Sequence, residues 1–385
     1  LAELINLPKM ITMNEIIMNY RLYKAKNIND RFITHEMLLK LLSKRKYIEI
    51  GKSVEERSIN LLQYGNGEKK VMIWSQMHGN ESTGTNAILD LLNLLEAQTP
   101  FSAKLLSKLT IQIIPMVNPD GTALYQRRNA INIDINRDFI KQQAPETRIL
   151  KQALYNFSPN VCFNLHDQRR IFNVSGFKNP ASISFLAPSE DKARTLTQKR
   201  KKTMGIISNI NQILQQYAPN RIGRYSDEFY PNAFGDNLQK KGYSPVLIEA
   251  GGYPNDWERQ HVRYLNWIAL AAGLNFIAST DIFSSDYQAY KNIPQNEQRM
   301  LDKIFRGITI QKNAHKAVVD LGIMHEENLD PVTRKSIKHS KITQIGDLEA
   351  YTGYEEINAK GSMFYKNQRN YPILNEPADF ELISI

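Results

Sequence analysis

The stretch Val71-Met72-Ile73-Trp74-Ser75-Gln76-Met77-His78-Gly79-Asn80-Glu81-Ser82-Thr83-Gly84 sets the reading of the whole chain. It opens as a buried apolar strand and runs into a helical pattern from about Ser82 to Glu96. His78 and Glu81 stand three apart where strand gives way to helix, and residues at i and i+3 of a helix start project to the same side. One imidazole and one carboxylate can therefore meet one ion there. Taken alone, His-x-x-Glu arises often by chance, so the pair has to be weighed with the rest of the chain.

Outward from this segment, strand-like and helix-like runs alternate. Tyr47 to Ser75 reads as three strands forming an antiparallel edge, the last two expected to join in a tight hairpin at Gly65-Asn66-Gly67. Leu109 to Pro115, Val161 to Leu165 and Pro245 to Glu249 read as further strands, while Pro145 to Asn156, Ala193 to Gln216 and a segment ending at Ile277 read as helices. This alternation predicts an α/β fold, a mixed, mainly parallel sheet with helices on both faces. After about Ser279 the texture changes to short β-branched runs, such as Ala317 to Ile323 and Lys341 to Ile345, punctuated by Gly, Pro, Asn and Asp. The expected organisation is a catalytic-type domain over residues 1–278, its stretch to about residue 20 being an extension, and then residues 279–385 as a linker, near Ser279 to Pro294, plus a small all-β domain.

The 385-residue chain is 42% hydrophobic and 23% charged, a folded composition with length enough for two domains. Its single cysteine, Cys162, excludes an internal disulfide and a four-cysteine zinc site, so histidine and carboxylate become the ligand types to search. Cys162 itself reads as a small buried residue rather than a nucleophile. No apolar run approaches the roughly eighteen residues of a membrane span, and a soluble protein is expected. Leu1 in place of an initiating methionine leaves the compartment open between cytoplasmic and exported with a removed targeting peptide. Oligomeric state is likewise open. The net charge of +10 is densest at Lys199-Arg200-Lys201-Lys202, which lacks interleaved aromatics and reads as a solvated helix face rather than a nucleic-acid site.

Three further segments carry chemistry. Asn118-Pro119-Asp120-Gly121 marks a loop after a buried strand, and Gln126-Arg127-Arg128-Asn129 and Asp134-Ile135-Asn136-Arg137-Asp138 follow it. Arginines beside a metal suit carboxylate recognition, because the guanidinium fork donates two parallel hydrogen bonds; surface salt bridges are the bland alternative. Val161 to Asp167 alternates like a strand and delivers His166 at its end, where ligands gather in α/β sheets, although a satisfied core histidine would look the same. Pro245 to Ile248 ends on Glu249, a carboxylate behind four nonpolar residues, which costs several kcal/mol unless a partner or a role compensates it.

In this order the motifs resemble the zinc metallocarboxypeptidases, the funnelins, over roughly Tyr47 to Ile277. The resemblance implies a metallopeptidase, a hydrolase that removes C-terminal residues from peptides by metal-activated water, with one zinc ion per chain. It makes His78, Glu81 and His166 the metal ligands and Glu249 the general base. Arg127 would polarise the scissile carbonyl, Asn136 and Arg137 would hold the terminal carboxylate, and Asp134 would orient His78. Arg128 adjoins Arg127, so a one-place slip would exchange them. The family's mobile tyrosine corresponds to Tyr225 or Tyr230, with Tyr230 preferred. Asp167 stands where the family often has a small residue, and either adds negative charge beside the metal or orients His166. The expected partner is a peptide or peptide-like substrate with a free carboxylate, with no nucleic acid and no membrane span. The C-terminal region resembles, by position and strand texture, the transthyretin-like domain of some relatives.

Two other readings compete. An acylamino-acid deacylase of the aspartoacylase or succinylglutamate desuccinylase type would share the early His-Gly-Asn-Glu and Asp-x-Asn-Arg elements, while Asn-Pro-Asp-Gly favours the carboxypeptidases. A catalytically silent peptide- or glycan-binding module would keep the fold without the reaction. No Gly-x-Ser-x-Gly turn or phosphate-binding glycine loop occurs, which disfavours serine hydrolases and nucleotide enzymes. His35, His261, His315, His325 and His339 read as structural.

Overall fold

In the computed structural model, which describes residues 12–330 and 336–384, helices α1 (Met13–Met18) and α2 (His35–Leu42) precede strands β1 (Tyr47–Lys52), β2 (Ser58–Tyr64) and β3 (Lys69–Ser75). Helices α3 (Thr83–Glu96) and α4 (Pro100–Lys108) lead to β4 (Leu109–Ile114), and α5 (Pro119–Ala123) and α6 (Pro145–Phe157) lead to β5 (Val161–Asp167). After β6 (Asn173–Val174) and β7 (Ile183–Leu186) come α7 (Gln198–Leu214), β8 (Ile222–Arg224), α8 (Phe234–Lys240), β9 (Pro245–Ala250) and α9 (Gln260–Ser279). Eight of these strands form one mixed sheet in the order β1-β2-β4-β3-β5-β9-β7-β8. Its centre, β4-β3-β5-β9, is parallel, so the carboxyl ends of β3, β5 and β9 lie along one edge.

Strand periodicity explains why helices cover both faces. Val71 and Ile73 of β3 join one buried cluster with Leu91 of α3, Ile207 of α7 and Trp267 of α9. Met72 and Trp74, the alternate residues, join another with Leu150 and Leu154 of α6 and Phe234 of α8. A strand buried on both sides reads as a continuous apolar run, and that is how β3 reads.

The hairpin expected at Gly65-Asn66-Gly67 does not form, because β4 lies between β2 and β3, antiparallel to the first and parallel to the second. The loop instead packs on the junction of α4 and β4, where Asn66 N donates to Leu106 O at 3.1 Å and Gly67 N to Leu109 O at 3.2 Å. A Cβ on Gly67 would lie 1.9 Å from the Lys108 carbonyl carbon, so close approach, rather than a tight turn, requires glycine there. The basic run is also not a wholly solvated face. Arg200 is buried on α7, where its guanidinium pairs with Asp227 and reaches Ala187 O at 3.4 Å.

Part of the expected N-terminal extension, residues 1–11, lies outside the described residues. From Thr12 onward the chain is packed: Ile16 and Ile17 are buried, and Tyr20 OH donates to Asp90 at 2.6 Å. Asp90 also accepts from Ala25 N at 2.7 Å and from Arg263 Nε at 2.8 Å, which ties the N-terminal segment to α3 and α9.

Past α9 the stretch expected as a linker is folded onto the large sheet through Tyr290, whose buried hydroxyl accepts from Ala187 N at 3.1 Å. Strand β10 (Asn296–Glu297) then pairs with β6. A second sheet follows, built from β11 (Met300–Lys312), β12 (His315–Leu329), β13 (Ser336–Gly346), β14 (Thr352–Asn358), β15 (Met363–Tyr365) and β16 (Glu381–Ile383). Ile308, Leu321, Ile323, Ile342 and Phe364 give it a core of its own.

Asp90→Ala leaves the Arg263 guanidinium buried without its counter-charge, and it is expected to lower stability by about 3–5 kcal/mol. Urea unfolding of the two proteins measures the loss.

Candidate metal centre and adjoining cavity

His78 and Glu81 lie in the turn from β3 into α3, and an adjoining loop shapes that turn. Asn118 Oδ1 accepts from Gly121 N at 2.8 Å, capping α5, and its Nδ2 donates to Met77 O at 3.3 Å. A Cβ on Gly79 would sit 2.0 Å from the Gly121 carbonyl carbon. The Asn-Pro-Asp-Gly loop and the His-Gly-Asn-Glu turn are thus in backbone contact, which places His78. Asp120 is structural here, accepting from Ser53 Oγ at 2.7 Å and from Glu55 N at 3.0 Å.

His166 arrives from the end of β5, and the three side chains converge. His78 Nδ1 lies 2.7 Å from Glu81 Oε1, His166 Nδ1 lies 2.8 Å from Glu81 Oε2, and the two imidazole nitrogens are 3.2 Å apart. The described residues bring together one such group, its ligand atoms all within 4.8 Å of one another. Two imidazoles and a carboxylate are a donor set that suits zinc. Asp134 Oδ1 lies 3.1 Å from His78 Nε2 and, as a carboxylate, can only accept; in the neutral ring Nδ1 then keeps its lone pair toward the cluster. The residues present therefore fit a zinc ion.

The electrostatics follow from crowding. Burial opposes ionisation of Glu81, but His78 and His166 outweigh it and hold the carboxyl far below its usual range. Burial would lower His78, and Glu81 with Asp134 reverses that to a rise; burial lowers His166. Asp134, despite burial, is held down by His78 and Arg127. Glu249 sits on β9 in register with His166 and is half-buried. Burial first, then the charges of Glu81 and Asp167, push its carboxyl well above the usual range.

Arg127, not Arg128, reaches the cluster. Its Nε donates to Asp134 Oδ2 at 2.9 Å, and its Nη1 lies 3.1 Å from His78 Nδ1; Arg128 turns away to donate to Asn132 O at 2.9 Å. Asn136 Oδ1 accepts from Phe234 N at 3.3 Å, and the Arg137 guanidinium lies 5.8 Å from the ring centre of Tyr230, which is exposed. Tyr225 is placed differently, lining the cavity with Glu249, which together with burial raises its phenol. Asp167 accepts from Thr83 Oγ1 at 2.7 Å at the start of α3 and lies 3.5 Å from Arg259. Burial nevertheless raises its carboxyl, Arg259 and Thr83 offsetting only part of that, and its backbone N donates to Glu81 Oε2 at 3.1 Å.

A cavity of about 810 Å³ opens beside the cluster, lined by Glu81, Arg127 and Glu249 and, on its far side, by the second sheet. Arg31, Tyr125, Asp302 and Glu327 belong to this lining and were not expected from sequence. His325, two residues before Glu327, reads as structural in the sequence, and Arg31 stands in no motif.

Near Arg137 and Tyr230, Asp236 is buried and accepts from Tyr230 N at 3.2 Å; burial raises its carboxyl to about 6 from 3.8. A raised acid stabilises the fold below its unfolded value, and that contribution disappears as pH rises through the folded one. The stability of Asp236→Asn relative to wild type should therefore increase between about pH 4 and about pH 7.5, as read from urea midpoints.

Residues 37–179 match the family described as zinc carboxypeptidase. Carboxypeptidase 2 of Trichophyton tonsurans is 41% identical over 100 residues, 26% of this chain and 19% of the fungal protein. Carboxypeptidase D of Anas platyrhynchos is 28% identical over 216 residues, 49% of this chain and 15% of that protein. The chain thus spans 19% or less of the length of these two curated relatives. Among solved structures, the carboxypeptidase A of Helicoverpa armigera aligns with a TM-score of 0.52 at 16% identity, over 70% of this chain and 80% of that one. A metallo-carboxypeptidase of Burkholderia cenocepacia aligns with a TM-score of 0.50 at 20% identity, over 63% of this chain and 69% of that one. Both share the mixed α/β fold. The matched segment carries β1 to β5 and with them His78, Glu81 and His166, so this part of the chain is similar to the zinc carboxypeptidase family.

Proposed function

We propose that this protein is a hydrolase that removes C-terminal residues from peptides, with one zinc ion per chain held by His78, Glu81 and His166. The observation that carries this reading is the convergence of those three side chains beside Glu249, on adjacent ends of parallel strands. Zinc held by these three residues would supply Lewis acidity and lower the pKa of water at the site to about 7. Glu249, on the strand beside His166 and open to the cavity, takes the proton of the attacking water and delivers it to the departing amine. Arg127, side chain 43% exposed and anchored through Asp134, donates to the oxyanion as it develops.

Arg137 and Asn136 hold the substrate's terminal carboxylate, and Tyr230, exposed beside Arg137, covers it. Anchoring that carboxylate determines which bond meets the metal. Asp134 keeps His78 in the ligating tautomer.

Bound zinc and hydrolysis of blocked dipeptides, N-acetyl amino acids and N-succinyl amino acids test this reading. Wild type should hold about one zinc and cleave the dipeptides, and His166→Ala should lose the metal. Glu249→Gln should keep zinc while kcat falls about a thousandfold. Normal turnover by Glu249→Gln would remove the assignment, and preference for acyl amino acids would make the protein a deacylase.

A further inference from the structure

The cavity beside the metal cluster has two walls from distant parts of the chain. One carries Glu81, Arg127 and Glu249; the other comes from the second sheet, where β11 and β12 supply Asp302 and Glu327. Asn136 and Arg137 are absent from its lining. If the terminal carboxylate sits at Arg137 and the scissile carbonyl at Arg127, the cavity is where the peptide on the amino side of the cut bond must run. This step rests on the function proposed above.

Glu327 is tied into the large sheet by both carboxylate oxygens. One pairs with the Arg31 guanidinium, and the other accepts from Tyr125 OH at 2.8 Å. Each contact leads to the centre. The Arg31 carbonyl accepts from Ser82 Oγ, next to Glu81, and from Asn86 Nδ2 at 3.4 Å. Tyr125 is two residues before Arg127 and has φ +50°, a left-handed conformation that a bulky residue holds only when its surroundings impose it. Arg31 is 5% exposed, so its pairing with Glu327 is costly to break.

A second set of contacts fixes the same wall. Arg170 Nε donates to Asp302 at 2.9 Å, its guanidinium lies 4.0 Å from the ring centre of Tyr354 and 5.2 Å from that of Trp257, and Tyr354 OH donates to Arg170 O at 3.1 Å. Trp257 also contacts His325 of β12, ring centres 5.6 Å apart. The second sheet is therefore bonded to the loop that follows His166, as well as to Arg31 and Tyr125.

We propose that the C-terminal sheet is part of the substrate site, and that Glu327 is a positioning residue that fixes Tyr125 and Arg31 as the wall receiving the peptide on the amino side of the cut bond. A substrate long enough to reach this wall gains binding from it; a blocked dipeptide reaches little of it. Glu327 thus sets how strongly activity depends on peptide length.

The test compares N-acetylated dipeptides and tetrapeptides that share their last two residues, on wild type, Glu327→Gln and Tyr125→Phe. Glu327→Gln removes the charge opposite Arg31 while keeping the side chain's shape; Tyr125→Phe removes one hydroxyl. In each variant the tetrapeptide-to-dipeptide ratio of kcat/KM should fall about tenfold, mainly through KM. A ratio within about twofold of wild type in both variants overturns the proposal, because general loss of structure lowers both substrates alike. The same ratio is read as affinity, by calorimetry with uncleaved peptides on zinc-loaded Glu249→Gln carrying or lacking the Glu327 change. If wild type holds zinc and cleaves nothing, the peptidase reading fails and this affinity ratio still judges the wall. Equal affinity for both lengths, or binding of neither, overturns it.

Discussion

Two imidazole nitrogens 3.2 Å apart and one carboxylate meet at a buried point where each polar atom must find a partner. That requirement organises much of the surrounding structure. His78 is oriented by Asp134, Glu81 by the backbone N of Asp167, and Asp134 by Arg127. The parallel centre of the sheet makes the arrangement possible: β3, β5 and β9 end along one edge, so residues far apart in the chain arrive side by side. A one-residue change in the register of β5 against β9 would remove Glu249 from beside His166 and turn alternate side chains to the other face.

Around this point several buried charges face a partner. Asp167 is held by Thr83 and Arg259, Asp90 by Arg263 and Tyr20, and Asp302 by Arg170. Such pairs add little net stability over apolar packing, but removing one partner leaves an uncompensated charge, so each pins its elements in one arrangement. Glu249 is the contrast. It is half-buried, opens on the cavity, and has its carboxyl raised by burial and by neighbouring negative charge. A carboxyl in that condition, on the strand beside His166, is a functional-site candidate on physical grounds.

The second sheet has its own apolar core, yet its contacts with the large sheet are charged and aromatic. The Arg31 and Arg170 guanidinium groups lie 6.0 Å and 5.2 Å from the ring centre of Trp257 and pair with Glu327 and Asp302. Contacts of this kind depend on orientation more than apolar packing does, which suits a wall that must keep its shape beside a reactive centre.

His78, Glu81, His166 and Glu249 were legible in the sequence because each ends or follows an apolar run, and a polar residue at the end of a buried strand marks the sheet edge where sites form. The alternating α/β order and the change of texture near Ser279 were legible for the same reason, since strand and helix periods leave different apolar patterns. Arg127 and Arg128 could not be told apart, because adjacent arginines differ only in which carboxylate the fold brings near. The Gly65-Asn66-Gly67 loop was misread because glycine serves both a tight turn and a close backbone approach, and only the insertion of β4 distinguishes them. The sequence by itself determined the kind of sheet and which histidines and carboxylates end or follow its strands, through local pattern and composition. Tertiary structure alone decided that Glu327 stands against Arg31 and Tyr125, because ion pairs between residues hundreds apart leave no periodic trace in the chain.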